Sequence, residues 1–87
     1  HDDRGLAMAC SMAAMDAGAD FISTFVNGLG ERCGITDTLT FLANLHHRRI
    51  RPLKSAEIDL VRMSRLVEEF SSQVVDARRP VTGANAF

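Results

Sequence analysis

Residues 21–34 read FISTFVNGLGERCG, and the fold is decided here. The first six residues are rich in Phe, Ile, Thr and Val without a charge among them, which is how a strand reads when helices cover both faces of a parallel sheet. The run stops at Asn27, in a turn punctuated by Gly28 and Gly30, and the turn carries an adjacent acid and base, Glu31 and Arg32. In barrels and open α/β sheets, ligands bind at the carboxyl ends of strands. Asn27, Gly28, Gly30, Glu31 and Arg32 are therefore the candidate substrate or active-site loop. The two glycines let the backbone turn sharply or approach a ligand closely. For Glu31 and Arg32 a buried structural ion pair that holds the loop is preferred over a catalytic pair, because removing either member strands a charge. Asn27 is read as shaping the loop, with contact to substrate as the alternative.

On the N-terminal side, residues 5–17 have the composition of a helix built from small residues, including Leu6, Ala7, Ala9, Ala13 and Ala14. Alanine favours the helix and lets it sit close to a sheet, Asp3 is placed to cap its first amides, and Gly18 ends it. Met8, Met12 and Met15 read as flexible filler on its packed face, and Cys10 as a packing residue. On the C-terminal side, Thr36 or Asp37 caps a second helix running to about His46, with Leu39, Leu42 and Leu45 on one face. Residues 48–54 form a polar connector containing Pro52. Ser55 then caps a third helix running to about Val74, in which Leu60, Met63, Val67, Phe70 and Val74 step by three and four. That spacing predicts one buried stripe, with Glu57, Arg62, Glu68 and Glu69 facing water. Residues 76–87 contain Pro80 and Gly83 and read as irregular.

The order helix, strand, helix is that of an α/β protein, yet a lone strand cannot satisfy its own backbone groups. Its neighbours must lie elsewhere. The chain begins at a histidine, inside what reads as a motif, so it is expected to be a piece of something longer.

Composition agrees with a folded protein: of 87 residues, 46% are hydrophobic and 24% charged. A formal net charge of -1 gives no electrostatic reason to expect nucleic acid or an acidic membrane surface as partner. The local basic cluster of His46, His47, Arg48, Arg49 and Arg51 follows a helix and reads as a solvated end that complements its dipole. Two cysteines, Cys10 and Cys33, are too few for a disulfide framework and lack metal-motif spacing, which makes a reducing cytoplasmic setting the default. No apolar stretch reaches the roughly 18 residues of a membrane span.

HDDRGLAMACSMAAMDAGADFISTFVNGLGERCG resembles the end of the catalytic barrel in the isopropylmalate and homocitrate synthase family, whose pattern is H-x-H-[ND]-D-x-G, a small-residue helix ending in A-G-A, then G-x-G-E-R. The terminal PVTGANAF resembles that family's P-[IV]-x-G-x-x-A-F, so the resemblance covers nearly the whole chain. It implies α/β architecture: the C-terminal part of a (β/α)8 TIM barrel followed by a helical linker region. Residues 1–50 would be the end of the seventh strand, its helix, the eighth strand and the eighth helix, and residues 51–87 the start of the post-barrel linker.

The resemblance also implies chemistry. Members join an acyl-CoA, usually acetyl-CoA, to a 2-oxo acid by a Claisen-type condensation and then hydrolyse the thioester, with a divalent metal ion (Zn, Mg or Mn) holding the oxo acid. His1 matches the second histidine of the H-x-H pair that ligates the metal, and a homodimer is implied for the full-length protein. Where isopropylmalate synthases continue G-E-R with A-G-N, whose asparagine is a further ligand, this chain has Ile35, which cannot ligate a metal. GERCGIT instead looks like the G-E-R-N-G-I-T of homocitrate synthases, while HDDRG and FVNGLG look closer to isopropylmalate-type enzymes. The acceptor stays open between these and a specialised 2-oxo acid. Cys33 is similar to the catalytic cysteine of the related hydroxymethylglutaryl-CoA lyases only in residue type, since their loop reads G-G-C-P. A second class of function, a non-catalytic helical interaction module, is suggested by the amphipathic third helix alone.

Overall fold

The computed structural model describes residues 1–50 and 59–86, within which three helices surround one closed loop. The expected connector with Pro52, the Ser55 cap, Glu57, Arg51 and the final Phe87 lie outside the described residues. Helix α1 spans Ala7–Asp16. Its first N–H, from Ala7, donates to Asp2 Oδ1 at 3.0 Å, so Asp2 does the work expected of Asp3. Asp3 is drawn instead to Arg32, whose Nε lies 2.6 Å from Asp3 Oδ2. Gly18, at φ 101°, donates to Met15 O while Ala19 donates to Ala14 O, closing the helix with a left-handed residue as expected of a glycine in that place. Of the helix only Ala7 is buried. Met8, Met12 and Met15 are half-buried, and Cys10 is exposed, which corrects its reading as a packing residue.

The expected strand over residues 21–26 is reduced to a single parallel bridge between Phe25 and Asp37. Phe25 is extended, donates to Thr36 O at 3.0 Å and accepts from Thr38 N at 3.1 Å. Phe21 is 94% exposed and Phe25 51%, where a strand covered on both faces would bury them. The reason is supply. No other described segment offers a backbone edge to this one, and a strand without neighbours cannot pair its amides. A 3-10 turn, Val26–Gly28, follows directly.

Helix α2 spans Thr38–His47 and begins at Asp37, one of the two caps expected. It buries Leu39, Phe41 and Leu45, with Leu42 half-buried. His46 and His47 stand in its last turn, where cations complement the dipole, and Arg48 just beyond makes a two-pronged ion pair with Asp16 at the end of α1. The basic cluster is, in its described part, the solvated helix end that its position predicts.

Helix α3 spans Leu60–Ser71 and starts at Asp59, which accepts from Arg62 N. It stops at Ser72, which is left-handed at φ 58°, and so falls short of Val74. Its expected buried stripe is covered only in part: Phe70 is 82% exposed and Met63 and Val74 are exposed as well, while Leu60 and Val67 are half-buried. The buried residue is Ser64, at 0% exposure. Leu60, Val67, Glu68 and Ser71 flank it and are half-buried. At 100° per residue the covered face overlaps the apolar stripe at Leu60 and Val67 and is displaced from it toward Ser64, Ser71 and Glu68, the last of which was expected to face water. The tail, residues 76–86, is irregular as its Pro and Gly content predicts, and folds on itself through Asn85 N to Ala77 O and Gly83 N to Arg79 O.

Candidate functional site

The loop after Phe25 leaves the bridge and returns to it. Ile35 N donates to Gly28 O at 3.0 Å, so residues 29–34 project from a closed neck. Two glycines make the neck possible. Gly28 is at φ 68° and a Cβ there would meet Ile35 O at 2.9 Å and Arg79 Nη2 at 2.7 Å; Gly34 is at φ 84° and its Cβ would lie 2.0 Å from Gly28 O. Only residues without a side chain fit. Gly30, singled out in the sequence with Gly28, has no such φ, and the second indispensable glycine is Gly34. The segment beginning at His1 is fastened to the same loop, since Asp2 N donates to Gly34 O at 2.9 Å.

Under the neck lies a buried polar knot. Asn27 is 5% exposed and adopts φ 63°, a left-handed conformation that asparagine tolerates better than most residues. Its backbone N–H donates to Asp37 Oδ1 at 2.8 Å. Its side-chain amide donates to Ser64 O at 2.9 Å and accepts from Ser64 Oγ at 2.6 Å. Asp37, also 5% exposed, accepts further from Leu39 N, Thr40 N and Thr40 Oγ1, and Arg79 Nη2 lies 3.7 Å from its Oδ2. Four donors and one cation thus meet a buried carboxylate, so its oxygens are paired where water does not reach them. Arg79 Nε and Thr82 Oγ1 are buried without a hydrogen-bond partner among the described residues.

Asn27, Gly28, Gly30 and Arg32, with Cys33, line one cavity of about 510 Å³ between the loop and residues 73–75. Glu31 does not line it. Glu31 and Arg32 do not form the buried pair that the sequence suggested: both are exposed, and Arg32 is joined to Asp3 across the surface. The local cause is that Arg32 takes φ 56°, a left-handed turn residue, and its guanidinium reaches the N-terminal segment. Asn27 turns out to be structural in every polar atom of its side chain.

His1 is exposed and lines a different cavity, of about 410 Å³, together with Ser11, Ile22, Ile35 and Thr36. Among the described residues no three His, Cys, Asp or Glu side chains converge to hold a metal ion. Asp2 caps the start of α1 and Asp3 pairs with Arg32. These residues by themselves do not compose the metal centre that the resemblance implies.

The knot contains residues that sequence reading passed over. Asp37 was visible only as a helix cap. Nothing in the sequence pairs Ser64 with Asn27, since a serine inside an amphipathic helix carries no mark of its partner, and Arg79 is one of two adjacent arginines in a polar tail.

A family model described as HMGL-like matches residues 1–69, which include both helices of the first half, the whole loop and Ser64. The chain belongs to the HMGL-like family. That is a TIM-barrel family, although the described residues of this member show helices and an isolated bridge only. Homocitrate synthase AksA of Methanopyrus kandleri is 43% identical to it over 90 aligned residues, covering all of this chain and 22% of the relative. The 2-isopropylmalate synthase of Bacillus pumilus is 40% identical over 90, covering all of this chain and 17% of the relative. The (R)-citramalate synthase of Synechocystis is 37% identical over 91, again covering the whole chain and 16% of the relative. The chain therefore spans about a fifth of the length of the curated relatives that it matches. No described helix of this HMGL-like chain is long and apolar enough to cross a membrane.

Proposed function

We propose that this chain is the C-terminal part of the catalytic barrel, with the first helix of the following linker, of an acyltransferase that condenses acetyl-CoA with a 2-oxo acid. Residues 1–50 supply the end of the seventh strand through the eighth helix, and residues 51–87 begin the linker. The observation that carries the proposal is the closed loop: an extended segment ends at Asn27, and a glycine-built neck presents Gly30, Arg32 and Cys33 to a cavity at what would be the carboxyl end of a barrel strand. The bare rings of Phe21 and Phe25 support it too, because they are what a barrel strand exposes when its neighbours belong to another part of the polypeptide. Relatives that bear synthase names support the reaction class.

In this reading Gly28, Gly30, Glu31 and Arg32 form the substrate loop, with Asn27 as its anchor. His1 is one ligand of a divalent ion whose other ligands come from the rest of the protein, and that ion polarises the oxo acid. Ile35 borders the same cavity as His1 and offers no lone pair, so it leaves its side of that cavity apolar. This favours the homocitrate-type loop over the isopropylmalate type. The complete enzyme is proposed to be a cytoplasmic homodimer. The test is to express the complete protein and follow CoA release from acetyl-CoA with 2-oxoglutarate, 2-oxoisovalerate and pyruvate in turn. Metal-dependent release with one of them is expected, 2-oxoglutarate first, and no release with any of the three overturns the assignment.

A further inference from the structure

We infer that Ser64, on α3, is a positioning residue for the acceptor-binding loop, so that the helical segment after the barrel sets the shape of the site in front of it. The inference rests on the synthase reading and goes beyond it by assigning a task to a residue 37 positions from its partner. Ser64 is wholly buried and spends both its hydroxyl and its backbone carbonyl on the Asn27 side chain. Asn27 is the root of the loop: it stands between the Phe25 bridge and the Gly28–Ile35 hydrogen bond, in a left-handed conformation. Its backbone N–H is fixed by Asp37.

The hold is two-sided. Arg79 packs against Gly28 and reaches Asp37, while Arg65 on α3 donates to Thr82 O in the tail at 3.0 Å, tying helix and tail together. Residues 60–82 therefore grip the neck at Asn27 through Ser64 and at Asp37 through Arg79. A side chain at Gly28 would meet Ile35 O and Arg79 itself, so both close on the neck there. A displacement of α3 must rotate the Asn27 amide or break its two hydrogen bonds to Ser64, and Asn27 is itself part of the cavity wall.

Kinetics of the complete protein test this. Ser64→Ala removes the hydroxyl that Asn27 Oδ1 accepts from and leaves that oxygen buried and unpaired. The expected result is a rise of about tenfold in KM for the 2-oxo acid, the scale of one buried hydrogen bond, with KM for acetyl-CoA within about twofold of wild type. Ser64→Cys, which fills the same place with a weak donor, is expected to fall between the two. A lowered thermal midpoint with both KM values and kcat unchanged would make Ser64 a mere tether and overturn the inference. Should Ser64→Ala fail to accumulate as folded protein, the same constants read on Ser64→Cys decide in the same way. A wild-type protein that condenses no acid defeats the synthase reading instead, so the two failures are told apart.

Discussion

Helices α2 and α3 each begin at an aspartate that accepts backbone N–H groups, and each carries apolar residues at helical spacing, yet they are held by opposite means. Helix α2 lays Leu39, Phe41 and Leu45 against the body of the protein, and its cap is buried. Helix α3 has the cleaner apolar stripe and leaves Met63 and Phe70 in water; it is seated by a buried serine with Leu60 and Val67 half-buried, and its cap Asp59 is exposed with one backbone donor. Amphipathic spacing says that a face wants cover. It does not say that the cover is present in the same stretch of chain. The contrast separates two kinds of docking, one driven by apolar area and one by a pair of hydrogen bonds that fix a single rotation of the helix.

The largest difference is expected at the caps. Asp37→Ala strands Asn27 N, two α2 amides and the Thr40 hydroxyl, and removes the anion beside Arg79, which together should cost about 3 to 5 kcal/mol. Asp59→Ala removes an ordinary exposed cap and should cost about 1 kcal/mol or less. Chemical denaturation of the two variants decides it, and equal losses would show that burial of the cap is irrelevant. Next come the leucines. Leu39 is 2% exposed and Leu66 45%, so Leu39→Ala should lose about 3 kcal/mol and Leu66→Ala under about 1 kcal/mol. Midpoints that shift alike would mean that Leu66 of α3 is packed after all.

Helix existence was legible in the chain because each signal was local: the small residues of α1 with Gly18 behind them, Asp37 before the leucines of α2, and the period of α3. The loop was legible as a glycine-bounded turn at the end of an apolar run. The strand was legible only as a sequence, because residues 21–26 form one isolated bridge and Phe21 and Phe25 stay exposed among the described residues. Rotation of α3 was hidden for a related reason. Ser64 is chosen by Asn27, and a contact across 37 residues leaves no periodic trace. Glu31 and Arg32 misled because adjacency in sequence suggested a pair, whereas Arg32 pairs with Asp3, 29 residues away.

The smallest effect is expected at Phe70, and it tests the comparison at its weakest joint. A phenylalanine that is 82% exposed has little apolar area to return to water, so exchanging it for a polar residue of equal helix propensity should leave stability within about 0.5 kcal/mol. Phe70→Gln serves, since glutamine is no worse a helix former and adds no charge to the Glu68 and Glu69 neighbourhood. The measurement is the denaturation midpoint of the 87-residue chain, compared with Leu39→Ala under the same conditions. An unchanged midpoint keeps the two modes of docking distinct: apolar area holds α2, and the Ser64–Asn27 pair holds α3. A loss of about 2 kcal/mol or more would mean that the ring is covered in solution, by a second copy or by a rearranged tail, and that α3 is seated by its stripe, with Ser64 following from that packing instead of causing it.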